Sequence, residues 1–180
     1  MNDPLPLFVA DPDQVAARGQ ALAPQQWAWY DQVQPLAAAG DPDLIAALTT
    51  TLATVSAAID CTTCGRCCRQ MGPQVEAAEA AALAAALGLQ PELFRRGFLR
   101  PLWPAAAEDE QVWLLPSPCP LHDGLLCTVY AARPRPCRDF PQAAGQTPAA
   151  HLGQLVEFAR ICPIAFNTVE QVRQRVKGPA

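Results

Sequence analysis

The sequence Cys61-Thr-Thr-Cys64-Gly-Arg-Cys67-Cys68 places four cysteines within eight residues, and we call residues 61–68 the first cysteine cluster. The other four cysteines follow it along the chain, at Cys119, Cys127, Cys137 and Cys162. A chain of 180 residues can bury an apolar core of its own, so it does not need cysteine cross-links to fold. Cysteines at such spacing indicate a metal site or a redox group in a reducing compartment.

The spacing within the first cysteine cluster is compatible with two kinds of metal. A C-x2-C turn lets two sulfurs converge on one metal, and the pairs Cys61/Cys64 and Cys64/Cys67 form two overlapping turns of this kind. A C-x2-C-x2-C run also opens the ferredoxin pattern, although the Cys-Pro pairs of this chain lie far from the run. The run slightly favours an iron–sulfur cluster, whereas the dispersed later cysteines suit zinc, and both cofactors stay open.

The adjacent Cys67 and Cys68 are poorly placed to hold one ion together, because neighbouring side chains diverge by about 100° on a helix and about 180° on a strand. Two metal centres, a polynuclear cluster, or one metal ligand beside a free thiol would each be compatible with this divergence. Eight thiolates would fill two four-coordinate sites, which favours two centres. A disulfide scaffold is the alternative for eight cysteines, but the N-terminus lacks the basic segment of a signal peptide.

Basic residues accompany the cysteines. The arginines near them in sequence are Arg66, Arg69, Arg133, Arg135 and Arg138. A tetrathiolate zinc site or an oxidised four-iron cluster carries a charge of about −2, so nearby cations favour the deprotonated ligands. His122 is a candidate ligand because it follows Cys119 by three residues, with an exposed hairpin residue as the alternative. We expect His151 to be structural or solvated.

The alanine-rich composition predicts mostly helix around a thin core. In the first half of the chain, the predicted elements are a helical region from Asp11-Pro-Asp to about Ala39 interrupted at Pro24 and Pro35, a helix from Leu44 to Ile59, a helix from Gly72-Pro73 to about Leu87, and a short helix from Pro91 to Pro101. In the second half they are a loop 101–110, a strand Val112–Leu115, a two-residue hairpin turn at Asp123-Gly124, a stiff connection Arg133–Pro141, a loop 142–147, a helix from about Pro148 to Cys162-Pro163, and a last helix capped by Thr168-Val-Glu-Gln171. We therefore predict a mainly α fold with a small β-hairpin, in which an irregular cysteine-rich metal-site core packs between helices.

The cysteines and their neighbours form an ordered series of motifs: Cys-x2-Cys-Gly-x-Cys-Cys, Pro-Cys-Pro-Leu, Cys-x-Val-Tyr-x-x-Arg-Pro-x-x-Cys-Arg-x-Phe-Pro, and Cys-Pro. This series resembles the YkgJ-type cysteine-cluster family of bacterial proteins, described as zinc- or iron-chelating domains, over roughly Cys61 to Pro163. The resemblance implies eight metal ligands: Cys61, Cys64, Cys67, Cys68, Cys119, Cys127, Cys137 and Cys162. It also implies supporting positions at Tyr130, Arg133, Pro134, Arg138, Phe140 and Pro141.

These observations predict a metal-binding protein that coordinates zinc or an iron–sulfur cluster. The alternative is a redox or group-transfer enzyme, because relatives such as flagellin lysine methylases join a similar cysteine cluster to methyl transfer. The sequence contains no P-loop, G-x-G-x-x-G, H-E-x-x-H or G-x-S-x-G motif for a nucleotide or hydrolase site.

The remaining features limit which partners we expect and indicate how the chain is organised. A formal net charge of −4 argues against a nucleic-acid partner, and the absence of a long apolar run argues against a membrane span, so we expect a cytoplasmic protein. The aromatics Trp27, Trp29 and Tyr30 are expected to pack, with a protein-partner surface as the alternative. We expect an N-terminal helical region 1–60, a cysteine-cluster domain 61–165 and a C-terminal helix 166–180, together forming one compact unit.

Overall fold

The computed structural model describes residues 8–103, 112–124, 126–142 and 145–178. Within them the chain is mainly helical with a small three-stranded antiparallel sheet, which confirms the predicted fold class. The α-helices are α1 (Pro12–Ala39), α2 (Pro42–Ala58), α3 (Arg66–Gln70), α4 (Ala77–Ala86), α5 (Pro91–Phe98), α6 (Arg135–Asp139), α7 (Pro148–Phe158) and α8 (Pro163–Arg175). The strands are β1 (Gln74–Val75), β2 (Arg100–Pro101) and β3 (Trp113–Leu114). None of the described helices is both long enough and apolar enough to cross a bilayer.

The described residues divide into two compact units. The helical unit contains the chain up to Cys61 together with the chain from Pro141 onward, and the cysteine unit contains Thr62–Phe140. The division into segments 1–60, 61–165 and 166–180 stays a prediction, because it rests on the motifs rather than on packing.

The helical unit is built around α8, which contacts α1, α2 and α7. Every residue of α8 from Pro163 to Val169 is buried, so this helix presents no solvent-facing stripe along its first two turns. Asn167 binds the extended chain before α1, since its side chain accepts from the Val9 N–H and donates to the Val9 carbonyl, both at 2.9 Å. The core of the unit is therefore a buried central helix rather than a layer between amphipathic faces.

Helix α1 contradicts the sequence prediction of interruptions at Pro24 and Pro35, because it runs through both prolines. A proline inside a helix leaves the carbonyl four residues earlier without its hydrogen bond. Gln20 and Asp31, which carry those carbonyls, are exposed, as are both prolines. Water can hydrate the carbonyls there, so the helix continues at a moderate cost.

The start of α8 also differs from the prediction of a capping box at Thr168. Thr168 is buried in the middle of the helix, which begins five residues earlier at Pro163. The Cys162 sulfur accepts a hydrogen bond from the Ala165 N–H at 3.5 Å, and Pro163 occupies the first turn. A cysteine cap followed by proline therefore starts this helix, a combination that a search for Ser or Thr caps misses.

The cysteine unit holds the sheet, in the order β1-β3-β2. Gln74 pairs with Leu114, and Arg100 pairs with the same residue from the other side. The predicted helix from Gly72-Pro73 begins later, at Ala77, because the residues before it pair with β3 and the Leu115 N–H donates to the Pro73 carbonyl at 3.0 Å. Under the sheet lies an apolar cluster that contains Val75, Leu83, Phe94, Leu99, Leu115, Leu121 and Val129.

The predicted two-residue turn at Asp123-Gly124 is wrong. A single antiparallel bridge pairs His122 with Cys127, so the loop between them has four residues. Only Gly124 has a positive φ, at +100°, among the described residues of this loop. The Asp123 carboxylate accepts from the Leu126 N–H at 2.8 Å, and this side-chain contact closes the wider loop.

The predicted stiff connection Arg133–Pro141 contains the short helix α6, because Pro136 lies in its first turn, where proline is tolerated. The other helices of the prediction, from Leu44, Pro91 and about Pro148, are present with ends shifted by a few residues. Most of the predicted loop 101–110 and part of the predicted loop 142–147 lie outside the described residues.

Candidate metal site

The first cysteine cluster has a well-defined local structure. Residues Cys61–Thr63 form a 3-10 turn, Gly65 has φ +56°, and Cys67 and Cys68 lie in the first turn of α3. The Arg69 guanidinium donates to the Cys64 carbonyl at 2.8 Å, which ties the end of this segment to its beginning. Glycine adopts the left-handed conformation at position 65 without strain, and this conformation turns the chain between Cys64 and Cys67.

Hydrogen bonds hold two of the later cysteines, Cys119 and Cys127, beside this cluster. The Cys119 N–H donates to the Cys68 carbonyl at 2.8 Å, and the Ser117 hydroxyl donates to the Arg69 carbonyl at 3.0 Å. Cys127 is positioned by its bridge to His122, whose own N–H donates to the Cys119 carbonyl at 3.2 Å. The segment that carries Cys119 and Cys127 is thereby held beside Cys68 and Arg69, although the two regions are far apart in sequence.

Four thiols of the cysteine unit interact electrostatically, and we call them the four-thiol group: Cys68, Cys119, Cys127 and Cys137. Burial is the main reason why the pKa values of Cys119 and Cys127 are raised and why that of Cys137 is raised to about 12. The negative charge of Cys68 raises all three pKa values further. Thiols that affect each other in this way share one small region of the unit.

Two members of the group receive backbone hydrogen bonds on sulfur. The Leu121 N–H points to the Cys119 sulfur and lowers its pKa, and the Val129 N–H does the same for Cys127. Each donor lies two residues after its cysteine. Such N–H groups stabilise the thiolate form, which is the form that binds metals.

Cys68 ionises more readily than an ordinary thiol, since its pKa is lowered to about 6. The largest cause is a hydrogen bond from the Cys67 thiol, which outweighs the opposing effect of burial. Electrostatic interactions with His122 and with the Arg69 guanidinium lower the pKa further. Cys67 and Cys68 thus have different roles, with one thiol donating to the sulfur of the other.

No disulfide joins the eight cysteines, all of which lie in the described residues. In the same part of the chain, no three His, Cys, Asp or Glu side chains lie close enough together to hold an ion. The donor set nevertheless suits a thiophilic metal, because it offers four sulfurs, two backbone donors and the positive charges of Arg69 and Arg133. Coordination therefore requires the thiol side chains to draw closer together.

The other predicted ligands have different surroundings. Cys61 is exposed in the 3-10 turn, and Cys64 and Cys67 are half-buried around Gly65. Cys162 belongs to the helical unit, where it caps α8 and packs against a core of Leu52, Val55, Ile59 and Ile164. Cys68 therefore interacts electrostatically with three later cysteines, whereas Cys162 has a local structural role.

The arginines near the later cysteines have different contacts. The Arg133 guanidinium lies over the Tyr130 ring, 3.5 Å from its centre, and its charge lowers the pKa of Cys127 and Cys137. Arg135 and Arg138 instead pair with the acidic side chains of Glu76 and Asp139. Arg133, like Arg69 beside the first cysteine cluster, therefore lowers the pKa of nearby thiols.

Both histidines of the chain are well defined. His151 is buried, and its Nε2 lies 2.8 Å from the Pro141 carbonyl oxygen, which makes it structural. The Nδ1 of His122 accepts from the Gly124 N–H at 3.3 Å, and its buried Nε2 has no hydrogen-bond partner among the described residues. The sequence prediction of either a ligand or an exposed residue misses this arrangement, which depends on the glycine two residues later.

The N-terminal aromatic residues mostly pack. Trp29 is buried and its indole N–H donates to the Val176 carbonyl at 2.9 Å, while Trp27 meets Tyr30 edge to face at 5.4 Å. A protein-partner surface in this region stays a prediction.

A comparison with family models gives one match, to CxxCxxCC, "Putative zinc- or iron-chelating domain", over residues 60–163, which is more than half of the chain. No significant match was found among curated proteins or among solved structures.

Proposed function

Because the chain belongs to the CxxCxxCC family of zinc- or iron-chelating domains, we propose that it binds zinc or iron through the four-thiol group of its cysteine unit. Either zinc or a four-iron cluster accepts four thiolates, so the same donor set serves both. Zinc would supply a structural cross-link, whereas an iron–sulfur cluster would supply an electron carrier. The proposal places this chemistry in the cytoplasm, where a reducing environment keeps thiols available.

One observation supports this proposal above the others: the Cys68 charge raises the pKa of each of the other three thiols. Four thiols within electrostatic range disfavour ionisation of one another unless a cation offsets their charge. A bound metal ion supplies that charge, because it binds thiolates and displaces their protons. The residues that would hold it are the four members of the group.

Elemental analysis and a visible spectrum of protein purified without oxygen test the proposal. We expect stoichiometric zinc in a colourless protein, or iron and sulfide with broad absorbance in the visible range. Folded protein with neither metal would overturn it.

Single serine substitutions then assign the ligands. We expect Cys68→Ser, Cys119→Ser, Cys127→Ser and Cys137→Ser each to lose most of the bound metal. Ser117→Ala is the matched control, because it removes a hydroxyl beside the same segment without removing a sulfur. Wild-type metal content in all four serine variants would exclude this centre.

Cys61, Cys64, Cys67 and Cys162 stay predicted ligands on the basis of the family motif. If Cys162→Ser keeps full metal content, the centre in the cysteine unit is independent of this residue. If the variant loses metal, coordination involves more than the four-thiol group.

A redox or group-transfer enzyme is the second candidate, and the low pKa of Cys68 favours it. A thiol with a pKa of about 6 is mostly thiolate at neutral pH and can act as a nucleophile. Absorbance that bleaches with dithionite and returns with air would support the redox version, while a colourless zinc protein would exclude an iron–sulfur catalyst.

A further inference from the structure

The protonation of His122 follows from its backbone surroundings. The Gly124 N–H lies 3.3 Å from Nδ1, and a backbone N–H can only donate a hydrogen bond. Nδ1 must therefore accept, so the proton of the neutral ring is on Nε2.

The Nε2 side of the ring is fitted against the first cysteine cluster. A Cβ added to Gly65 would lie 2.5 Å from Nε2 and 3.0 Å from Cε1, so a larger residue at this position would push the ring away. Gly65 is buried, and it directly follows Cys64, the residue that the two overlapping cysteine pairs share. Glycine at position 65 thus serves two purposes, since it permits the φ of +56° and leaves space for the imidazole.

The Nε2–H group has no protein acceptor in this position. Its nitrogen is buried and has no hydrogen-bond partner among the described residues. Buried donors are nearly always satisfied in native proteins, so an unpaired one requires an explanation. Cys68 is within electrostatic range of the ring, and it is the member of the four-thiol group whose thiolate is most favoured.

Direct coordination of metal by His122 conflicts with this geometry. Binding through Nε2 needs a lone pair there, which would move the ring proton to Nδ1 and set it against the Gly124 N–H. Binding through Nδ1 would displace the same hydrogen bond. A thiolate acceptor at Nε2 creates neither conflict.

We infer that His122 is a positioning residue rather than a ligand, and that its Nε2–H donates a hydrogen bond to the Cys68 sulfur when the four-thiol group binds metal. This inference rests on the proposed function. Donors of this kind orient the ligands and stabilise the charge of a thiolate site, and their loss commonly weakens metal binding about 10- to 100-fold. His122 would act by slowing metal loss without being part of the coordination sphere.

The experiment uses the full chain, freed of metal and loaded with Co²⁺, whose ligand-field bands distinguish four sulfurs from three sulfurs and one nitrogen. Two variants are compared with the wild type. His122→Gln keeps an N–H donor at a similar reach, whereas His122→Leu keeps an apolar side chain but removes the donor. The measurements are the Co²⁺ spectrum and the rate of Co²⁺ release to EDTA.

We expect all three proteins to show the same four-sulfur spectrum. Release should be about tenfold faster from His122→Leu, and within about twofold of wild type from His122→Gln. Changed band positions in both variants would identify His122 as a ligand and overturn the inference. Equal release from all three proteins would also overturn it.

The proposed function is tested separately by the wild type. Wild-type protein that binds no Co²⁺ would remove the metal site and the inference with it. Wild-type protein that binds Co²⁺ with four sulfurs, but releases it at the rate of His122→Leu, would overturn only the role of His122. Thermal unfolding of the metal-free variants shows whether either substitution damages the fold.

Discussion

The two histidines of this protein differ in how their Nε2 atoms are satisfied, and each is typical of the unit in which it lies. His151, in the helical unit, is buried and has the Pro141 carbonyl 2.8 Å from its Nε2. His122, in the cysteine unit, has a buried Nε2 without a partner among the described residues. Among the described residues of the helical unit, the buried side chains of Asn167 and Gln26 have protein partners, whereas Thr168 Oγ1 has none. The cysteine unit presents an imidazole and four interacting thiols that a bound metal would complete.

The sharpest way to test this contrast is to remove the metal. We expect a chelator to increase amide hydrogen exchange in Thr62–Phe140 by at least about tenfold, because metal binding energy contributes directly to the folding of small thiolate sites. Exchange in α1, α2, α7 and α8 should change far less, since their core is apolar. Hydrogen exchange followed by mass spectrometry measures both regions in one sample.

A uniform increase across both units would contradict the contrast, because it would mean that the helical unit also depends on the metal. The chelated protein should be compared with the same sample after metal is restored, so that irreversible damage is not mistaken for loss of the metal.

The second test substitutes each histidine in metal-free protein. His151→Ala should lower the free energy of unfolding by about 1–3 kcal/mol, because it leaves the buried Pro141 carbonyl without its partner. His122→Ala should lower it by no more than about 0.5 kcal/mol, because its Nε2 has no partner among the described residues and the exposed Gly124 N–H that donates to Nδ1 can bind water instead. Urea unfolding followed by circular dichroism measures both values.

The order should reverse for metal release: we expect His122→Ala to speed the release of metal more than His151→Ala does. A large loss of metal-free stability in His122→Ala would show that the ring is structural, and would make the two histidines alike.

The smallest expected effect concerns the thiols of metal-free protein. At pH 7 we expect Cys68 to react with iodoacetamide about three- to sixfold faster than an ordinary thiol, because its larger thiolate fraction is partly offset by lower intrinsic nucleophilicity. Its rate should level off above about pH 7, whereas Cys137, with a pKa of about 12, should scarcely react below pH 9. Peptide mapping of the alkylated protein gives the rate at each site.

The same shifts set opposite pH dependences for stability. The lowered pKa of Cys68 stabilises the fold above pH 9.0, the ordinary value, and this contribution is lost as the pH falls toward 6. The raised pKa of Cys137 stabilises the fold below pH 9.0, and its contribution is lost as the pH rises toward 12.

In the alkylation experiment, a rate of Cys68 labelling that keeps rising in proportion to hydroxide up to pH 9 would contradict the lowered pKa of Cys68.

Local sequence signals predicted much of the helical unit. The Asp-Pro-Asp segments begin α1 and α2 as expected, because an aspartate cap and a proline in the first turn are both local interactions. Prediction failed at Pro24 because the continuation of the helix depends on the exposure of the freed carbonyl, which the packing of distant residues decides. Thr168 fails as a cap for a local reason, because the cap at Cys162 already starts α8 at Pro163.

The site was only partly predictable because it depends on contacts between residues that are distant in the sequence. Spacing and motifs identify the cysteines, but which thiols meet depends on backbone contacts such as that of Cys119 with Cys68. The sequence places His122 near Cys119, yet the position of its proton depends on the Gly124 N–H and the space that Gly65 leaves.

The sulfur cap at Cys162 makes this position suitable for testing metal coordination by mutagenesis. Serine is a better helix cap than cysteine, so a serine at this position should preserve or slightly strengthen the start of α8. Cysteine-to-serine substitution usually confounds lost coordination with a damaged fold. At this position the cap is kept, so a loss of metal without a change in thermal stability can be attributed to the sulfur atom itself.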